Sequence, residues 1–227
     1  MSVRLSVSIM AHPEREAEAT ELSRALGDAP ISFDPVPTPS RDPRQRWVPG
    51  DAAWRMHDRF ADWHMVIQDD AIVCEDLIPG LEKGLDALEG QGLFSGYSGV
   101  PKPGQEHISH AMAHARLKGH TWWSTRSLCW GVAIVAPVKT IPAMLDWCNH
   151  PFRAEVNYDK RVGLYYRDVL RWRTWHTTPA LVDHRDGPSL VGHGGEGSFR
   201  HAPLFLQGSA LDLDWEALPP KGLPHRV

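Results

Sequence analysis

The stretch HMVIQDDAIVCED, from His64 to Asp76, sets the frame for the rest of the chain. Met65 to Gln68 reads as a buried strand, and Asp69 and Asp70 arrive where that apolar run meets water. More acid follows at Glu75 and Asp76. Two adjacent carboxylates repel, so a core strand that ends on them calls for a cation or for hydrogen-bond donors. A divalent metal with oxygen ligands meets that need and bridges to phosphates. The plainer alternative is that Asp69 caps a turn while Asp70 is solvated.

Outward from this point, strands and helices alternate. Val3 to Met10 has the period-two pattern of a strand, and His12-Pro13 breaks it. Glu14 to Leu26 reads as a helix with early acid and a stop at Gly27. Ile31 to Val36 is a second strand, followed by the proline-rich loop PVPTPSRDP and a helix capped by Asp51 that runs to about Trp63. Leu77–Leu88 is an amphipathic helix, Leu93–Val100 a strand, and Pro101–Gly119 a loop with some helix. Ser127–Ala136 reads as a central strand, Ile141–Trp147 and Tyr158–Trp172 as helices, and Thr174–Val182 as the last strand. This alternation predicts a single α/β domain with a mostly parallel central sheet flanked by helices, over residues 1–208, and a tail over 209–227. Ligands of such sheets bind beyond the carboxyl ends of the strands, which is where Asp69 and Asp70 fall.

Composition narrows the function classes. The 227 residues carry 24 basic and 28 acidic side chains, a formal charge of −4, which excludes wholesale coating of nucleic acid but not a local basic face. Three cysteines, Cys74, Cys129 and Cys148, form neither a CxxC motif nor an even disulfide framework. The N-terminal apolar run is too short for a signal peptide, and no segment approaches the roughly 20 apolar residues of a membrane span. The expectation is a cytoplasmic protein without a membrane partner.

A second cluster, PALVDHRDGPSLVGHGG from Pro179 to Gly195, places Asp183, His184, Asp186 and His193 in a glycine-rich stretch after a strand. Neutral imidazole is a common metal ligand, although histidines there could instead pair with the carboxylates. The HISHAMAH stretch sets His107, His110 and His114 along one helical face, with only Glu106 to complete a metal site. Basic residues gather between Pro101 and Lys139 and again from Arg153 to Arg173, interleaved with Trp122, Trp123, Trp172 and Trp175. That pattern suits phosphates and stacked bases, or a solvated face.

QDDA at Gln68–Ala71, CWGVAIVAP at Cys129–Pro137, NYDKRVGLYY at Asn157–Tyr166 and the Pro179–His193 stretch together resemble small glycosyltransferases of the GT-A, Rossmann-like fold. Phage-encoded glycosyltransferase-like proteins are the nearest likeness. The resemblance implies a nucleotide-sugar donor, a UDP-sugar first among them, held by Mn²⁺ or Mg²⁺ on a DXD-type motif. It implies Asp70 as a metal ligand with His184 or His193, and Asp69, Ala11, His12 and Arg15 on the nucleotide. Gln68 stands where a plain DXD motif has its first acid. Asp159 is the implied catalytic base of an inverting transfer, a role that competes with simple helix capping. The implied acceptor is a hydroxyl, on a modified pyrimidine of phage DNA or on a protein. A metal-dependent phosphoester hydrolase, a silent nucleotide-sugar-binding module and a nucleic-acid-binding protein are the competing readings.

Overall fold

The computed structural model describes residues 3–36, 42–185 and 200–217. Its centre is a seven-stranded sheet in the order β2-β1-β3-β7-β5-β8-β6. These strands are β1 (Leu5–Ala11), β2 (Ile31–Phe33), β3 (Trp63–Gln68), β5 (Leu93–Ser95), β6 (Trp122–Thr125), β7 (Ala133–Pro137) and β8 (Thr174–Thr177). A two-stranded ribbon joins β4 (Ala71–Val73) to β9 (Val182–His184). β1 runs parallel to β2 and β3, and β5 parallel to β8, while β7 is antiparallel to both neighbours and β6 to β8. Five of the seven strands therefore point one way and β6 and β7 the other.

β3 is buried along nearly its whole length because both sheet faces are covered. Successive side chains alternate between faces. Trp63, Met65 and Ile67 enter one core with α1 (Glu16–Ala25) and α3 (Leu77–Asp86). Val66 enters the other with α2 (Pro43–Arg55), α5 (Ile141–Cys148) and α6 (Tyr158–Leu164). The neighbouring β7 divides in the same way, with Ala133 and Val135 on the first face and Ile134 and Ala136 on the second. α3 shows why its sequence is helical here: Leu77, Leu81 and Leu85 recur every four residues and are buried. Each contributes about 1.5–3 kcal/mol by leaving water.

The structure departs from the sequence reading in several places. Asp51 caps no helix: α2 begins eight residues earlier at Pro43, where the Asp42 carboxylate accepts from the Arg44 amide at 2.9 Å. Proline at the first helical position lacks only an N–H that would have no partner. The stretch 101–119, expected as a loop with some helix, is mostly helix: α4 (Glu106–Lys118), closed by Gly119 at φ +65°. The expected final strand is two, because Pro179 has no N–H to continue a ladder and the chain leaves β8 to pair with β4. Residues 209–217, expected as the start of a tail, are packed. Ala210 lies on Gly80 and the Trp215 ring on Gly84, each so close that a Cβ on the glycine would clash.

Candidate functional site

β1 leads through α1 to β2 on one side, and β3 lies on its other side, so the carboxyl ends of β1 and β3 flank a topological switch point. Asp69 and Asp70 form the turn between β3 and β4 at that point. The Asp69 amide donates to Met10 O at 3.2 Å, and its Oδ2 accepts from the His12 amide at 2.7 Å. Its Oδ1 lies 3.1 Å from Arg15 Nη1. Asp69 thus ties the ends of the two strands together. Asp70 Oδ2 receives Arg15 Nη1 at 2.5 Å, with His184 Nε2 at 3.2 Å and Arg200 Nη2 at 3.4 Å. Asp70 Oδ1 is buried and has no hydrogen-bond partner among the described residues.

Both carboxylates are buried, at 6% and 7% exposure, so Asp70 is not solvated, and the Asp69 oxygens bond the His12 amide and Arg15 instead of the following turn. Their surroundings push them apart electrically. Burial raises Asp69 above the usual carboxylate range, helped by the Asp70 charge and opposed by the His12 amide and Arg15. Burial also works against the Asp70 charge, but the His184 hydrogen bond and charge, together with Arg15, outweigh it and hold Asp70 at about 2. Arg15 is held above its ordinary value despite burial, chiefly by Asp70 and then Asp69.

The ribbon delivers the histidine. Ala71 pairs with His184 and Ile72 with Asp183, which sets the imidazole beside Asp70. His184 Nδ1 is 2.8 Å from Arg185 O, an acceptor only, so Nδ1 carries a hydrogen. Nε2 then donates to Asp70 as imidazolium or accepts from Arg200, which it contacts, as neutral imidazole. Asp183 holds the returning chain: its Oδ1 accepts from the Ala202 amide at 2.6 Å and its Oδ2 lies 2.9 Å from His201 Nδ1. The Tyr97 hydroxyl donates to Arg200 O, and burial keeps that phenol protonated well above its ordinary range.

His12 lies at the end of β1, next to Ala11, whose carbonyl accepts from the Asp34 amide. Its Nδ1 accepts from the Glu14 amide at 3.2 Å, so Nε2 bears the hydrogen, and Nε2 is buried without a partner among the described residues. Asp159 is the second residue of α6; Asn157 precedes the helix, and the Asp159 carboxylate accepts from the Lys160 amide at 2.8 Å. Gly131 lets it approach, since a Cβ there would stand 2.8 Å from Asp159 Cβ. Next to Gly131, Val132 O accepts from the Gln68 amide at 2.8 Å, so Asp159 sits at the same end of the sheet as the acidic turn. His193 and Asp186 lie outside the described residues.

Sequence reasoning missed Arg200, Tyr97 and the holding role of Asp183. Nothing local to Arg200 marks it, because its importance comes from the ribbon register and the path of residues 200–202. The tryptophan expectation also changes: Trp122 and Trp123 are core residues at 0% and 3% exposure, unable to stack on bases. Trp123 stacks instead on His176, with ring centroids 4.2 Å apart. His107, His110 and His114 all lie on α4 and are exposed. Among the described residues, however, no three His, Cys, Asp or Glu side chains converge to hold a metal, in that helix or elsewhere.

At the acidic turn the described donors for a cation are two, Asp70 and His184. The orphaned Asp70 Oδ1 and an imidazole whose Nδ1 is committed to a carbonyl are the donor types a divalent cation uses. The residues present fit such an ion as a partial set that needs one further ligand or substrate oxygens.

No protein-family model matches the sequence, and no curated protein sequence does. Solved structures with a similar outline include a protein from STIV, 11% identical, with TM-score 0.41 over 85% of this chain and 100% of that one. A glycosyltransferase involved in glycosylation of the major capsid of PBCV-1 is 13% identical, with TM-score 0.37 over 82% of this chain and 95% of that one. The mannose-1-phosphate geranyltransferase of Thermus thermophilus is 13% identical, with TM-score 0.30 over 76% of each chain. Among the described residues no helix is long and apolar enough to cross a membrane.

Proposed function

We propose that the chain is a metal-dependent, inverting glycosyltransferase that moves a sugar from a nucleotide diphosphate, a UDP-sugar first, to an acceptor hydroxyl. The observation that carries this reading is the meeting of Asp70 and His184 across the β4–β9 ribbon, at the strand end where Asp69, His12 and Arg15 also converge. Asp70 and His184, with His193, would hold Mn²⁺ or Mg²⁺, which as a Lewis acid neutralises the diphosphate leaving group. Arg15, already drawn to both carboxylates, offers its guanidinium to the same phosphates. His12 Nε2–H, without a partner among the described residues, is a donor for the nucleotide beside Ala11 at the strand end.

Asp159 takes the proton from the acceptor hydroxyl as that oxygen bonds to the anomeric carbon, and the bond to the diphosphate oxygen breaks with its electron pair. Burial of the carboxylate pair keeps bulk water from the leaving group, where it would compete with the acceptor. The acceptor is a hydroxyl on a modified pyrimidine of DNA or on a protein, met in the cytoplasm.

A thermal-shift screen tests the reading: UDP-, GDP-, ADP- and CMP-sugars, each with Mn²⁺, Mg²⁺ or EDTA, on wild type and Asp70→Ala. A ligand at a hundred times its dissociation constant stabilises by about 2.7 kcal/mol, an easily resolved shift. A metal-dependent shift with one nucleotide that vanishes in Asp70→Ala supports the donor site. No shift with any donor overturns it.

A further inference from the structure

Arg200 is the group around Asp70 that the donor-site reading leaves without a role. Its guanidinium lies 3.4 Å from Asp70 Oδ2 and contacts His184 Nε2, on two of the residues proposed as metal ligands. It comes from a different part of the chain than Arg15, which reaches the carboxylates from the β1 side and also serves Asp69. Among the described residues the Arg200 guanidinium contacts the Asp70–His184 pair alone. Its backbone is fixed from two directions, by the Tyr97 hydroxyl on its carbonyl and by the Asp183 carboxylate on the next two residues. Its side chain is 26% exposed, against 5% for His184 and 10% for Asp70, so it covers the pair from the solvent side.

We propose that Arg200 is a resident counter-ion of the metal site: its guanidinium and a divalent cation bind Asp70 and His184 in mutually exclusive fashion. This rests on the metal-site reading above. A guanidinium cannot share a lone pair with a cation, and His184 Nε2 has one lone pair to give. When a cation takes that lone pair, Arg200 leaves it and, held by its fixed backbone, keeps its charge within reach of the same spot. A donor diphosphate arriving with the cation gives the displaced guanidinium a bidentate partner. Arg200 therefore weakens binding of the bare cation and strengthens binding of the cation with its nucleotide. The carboxylate pair is neutralised in both states, which avoids leaving two buried charges uncompensated.

The test measures Mn²⁺ alone, by the loss of the free-ion electron paramagnetic resonance signal on titration, then UDP in the presence of saturating Mn²⁺. The chains are full-length wild type, Arg200→Gln, Arg200→Lys and Asp70→Asn. Arg200→Gln is expected to bind bare Mn²⁺ about tenfold more tightly or better, the effect of removing a unit charge a few ångströms from a divalent ion even at the dielectric constant of water. The same variant binds UDP with Mn²⁺ more weakly than wild type, and Arg200→Lys stays near wild type for bare Mn²⁺. A merely structural Arg200 would move both affinities in the same direction. Equal or weaker Mn²⁺ binding by Arg200→Gln, with Asp70→Asn abolishing it, overturns the counter-ion while leaving the metal site standing. No Mn²⁺ binding by any of the four chains overturns both.

Discussion

Acid should unfold this protein earlier than its carboxylates alone would, because two histidines are buried neutral. His64 is fully enclosed between β3 and α2, with Ser6 Oγ 2.9 Å from Nδ1, and Ser8 Oγ and Ala53 O at 3.0 and 3.2 Å from Nε2. Burial lowers its pKa to about 4, opposed by the Ala53 carbonyl and aided by His57. His176 lies under Trp123 with Ser98 and Thr125 hydroxyls 3.4 Å from its ring nitrogens, and burial lowers it to about 3. In the unfolded chain both titrate near the ordinary value of about 6.5. Between that value and the folded one, the unfolded state binds protons that the native state refuses, so stability falls as pH falls. At pH 5 the unfolded state is favoured by about 1.5 pH units per histidine, or about 2 kcal/mol each. Together that is about 4 kcal/mol, a large share of the roughly 5–15 kcal/mol of a typical domain. Urea unfolding at pH 8 and pH 5 measures it. His64→Gln and His176→Gln should each lower stability at pH 8, yet each should lose about 2 kcal/mol less than wild type between the two pH values. Subtracting the variant from wild type cancels the groups they share. Equal pH dependence in all three proteins would refute the assignment of neutral buried rings.

Further outcomes follow from the packing and the site. Arg15→Met leaves Asp69 and Asp70 buried with less compensation, so it should destabilise by about 3–5 kcal/mol at neutral pH, read by chemical denaturation. Gly84→Ala drives a methyl to within 2.1 Å of the Trp215 ring. It should cost about 1–3 kcal/mol in thermal denaturation, although alanine is the better helix former. Leu81→Ala, at 0% exposure in α3, should cost about 2–5 kcal/mol in the same assay. Asp159→Asn should abolish sugar transfer while keeping the metal-dependent nucleotide shift and nearly wild-type stability, since the described bond of its carboxylate is to the adjacent Lys160 amide. Loss of the nucleotide shift in that variant would move Asp159 from the reaction to the binding site.

The parts of the fold legible in the sequence are those in which local pattern and tertiary burial agree. β1 alternates because Leu5, Val7, Ile9 and Ala11 face one core while the Ser6 and Ser8 hydroxyls bond His64 and Ala53 on the other face, and β3 is a continuous apolar run because α2 and α3 cover opposite faces of it. α3 declares itself through Leu77, Leu81 and Leu85. The start of α2 is hidden because Pro49 and Gly50 read as loop, whereas Gly50 is the close contact of the helix with the Tyr158 ring. β6 is hidden too: its tryptophans read as a surface platform but pack inward on Phe94 and His176. At the site, Asp69 and Asp70 are visible as like charges at a strand end. The groups that neutralise them are only half visible. Arg15 follows closely on the strand beside them, while Arg200 is placed by a register that no local window contains.

The ribbon also sets an order of events during synthesis. Ala71 waits for His184, and Glu75 for Ser209, each more than a hundred positions later in the chain. Closing so long a loop comes late, after nearer contacts such as β1 on β2 have formed. A chain stopped after α6 can hold β1, β3 and the acidic turn with Arg15 in place, yet it has neither the imidazole nor the second guanidinium. The acidic turn is thus completed only by segments that follow it by more than a hundred positions, and a product truncated before them carries the carboxylates without that imidazole and guanidinium.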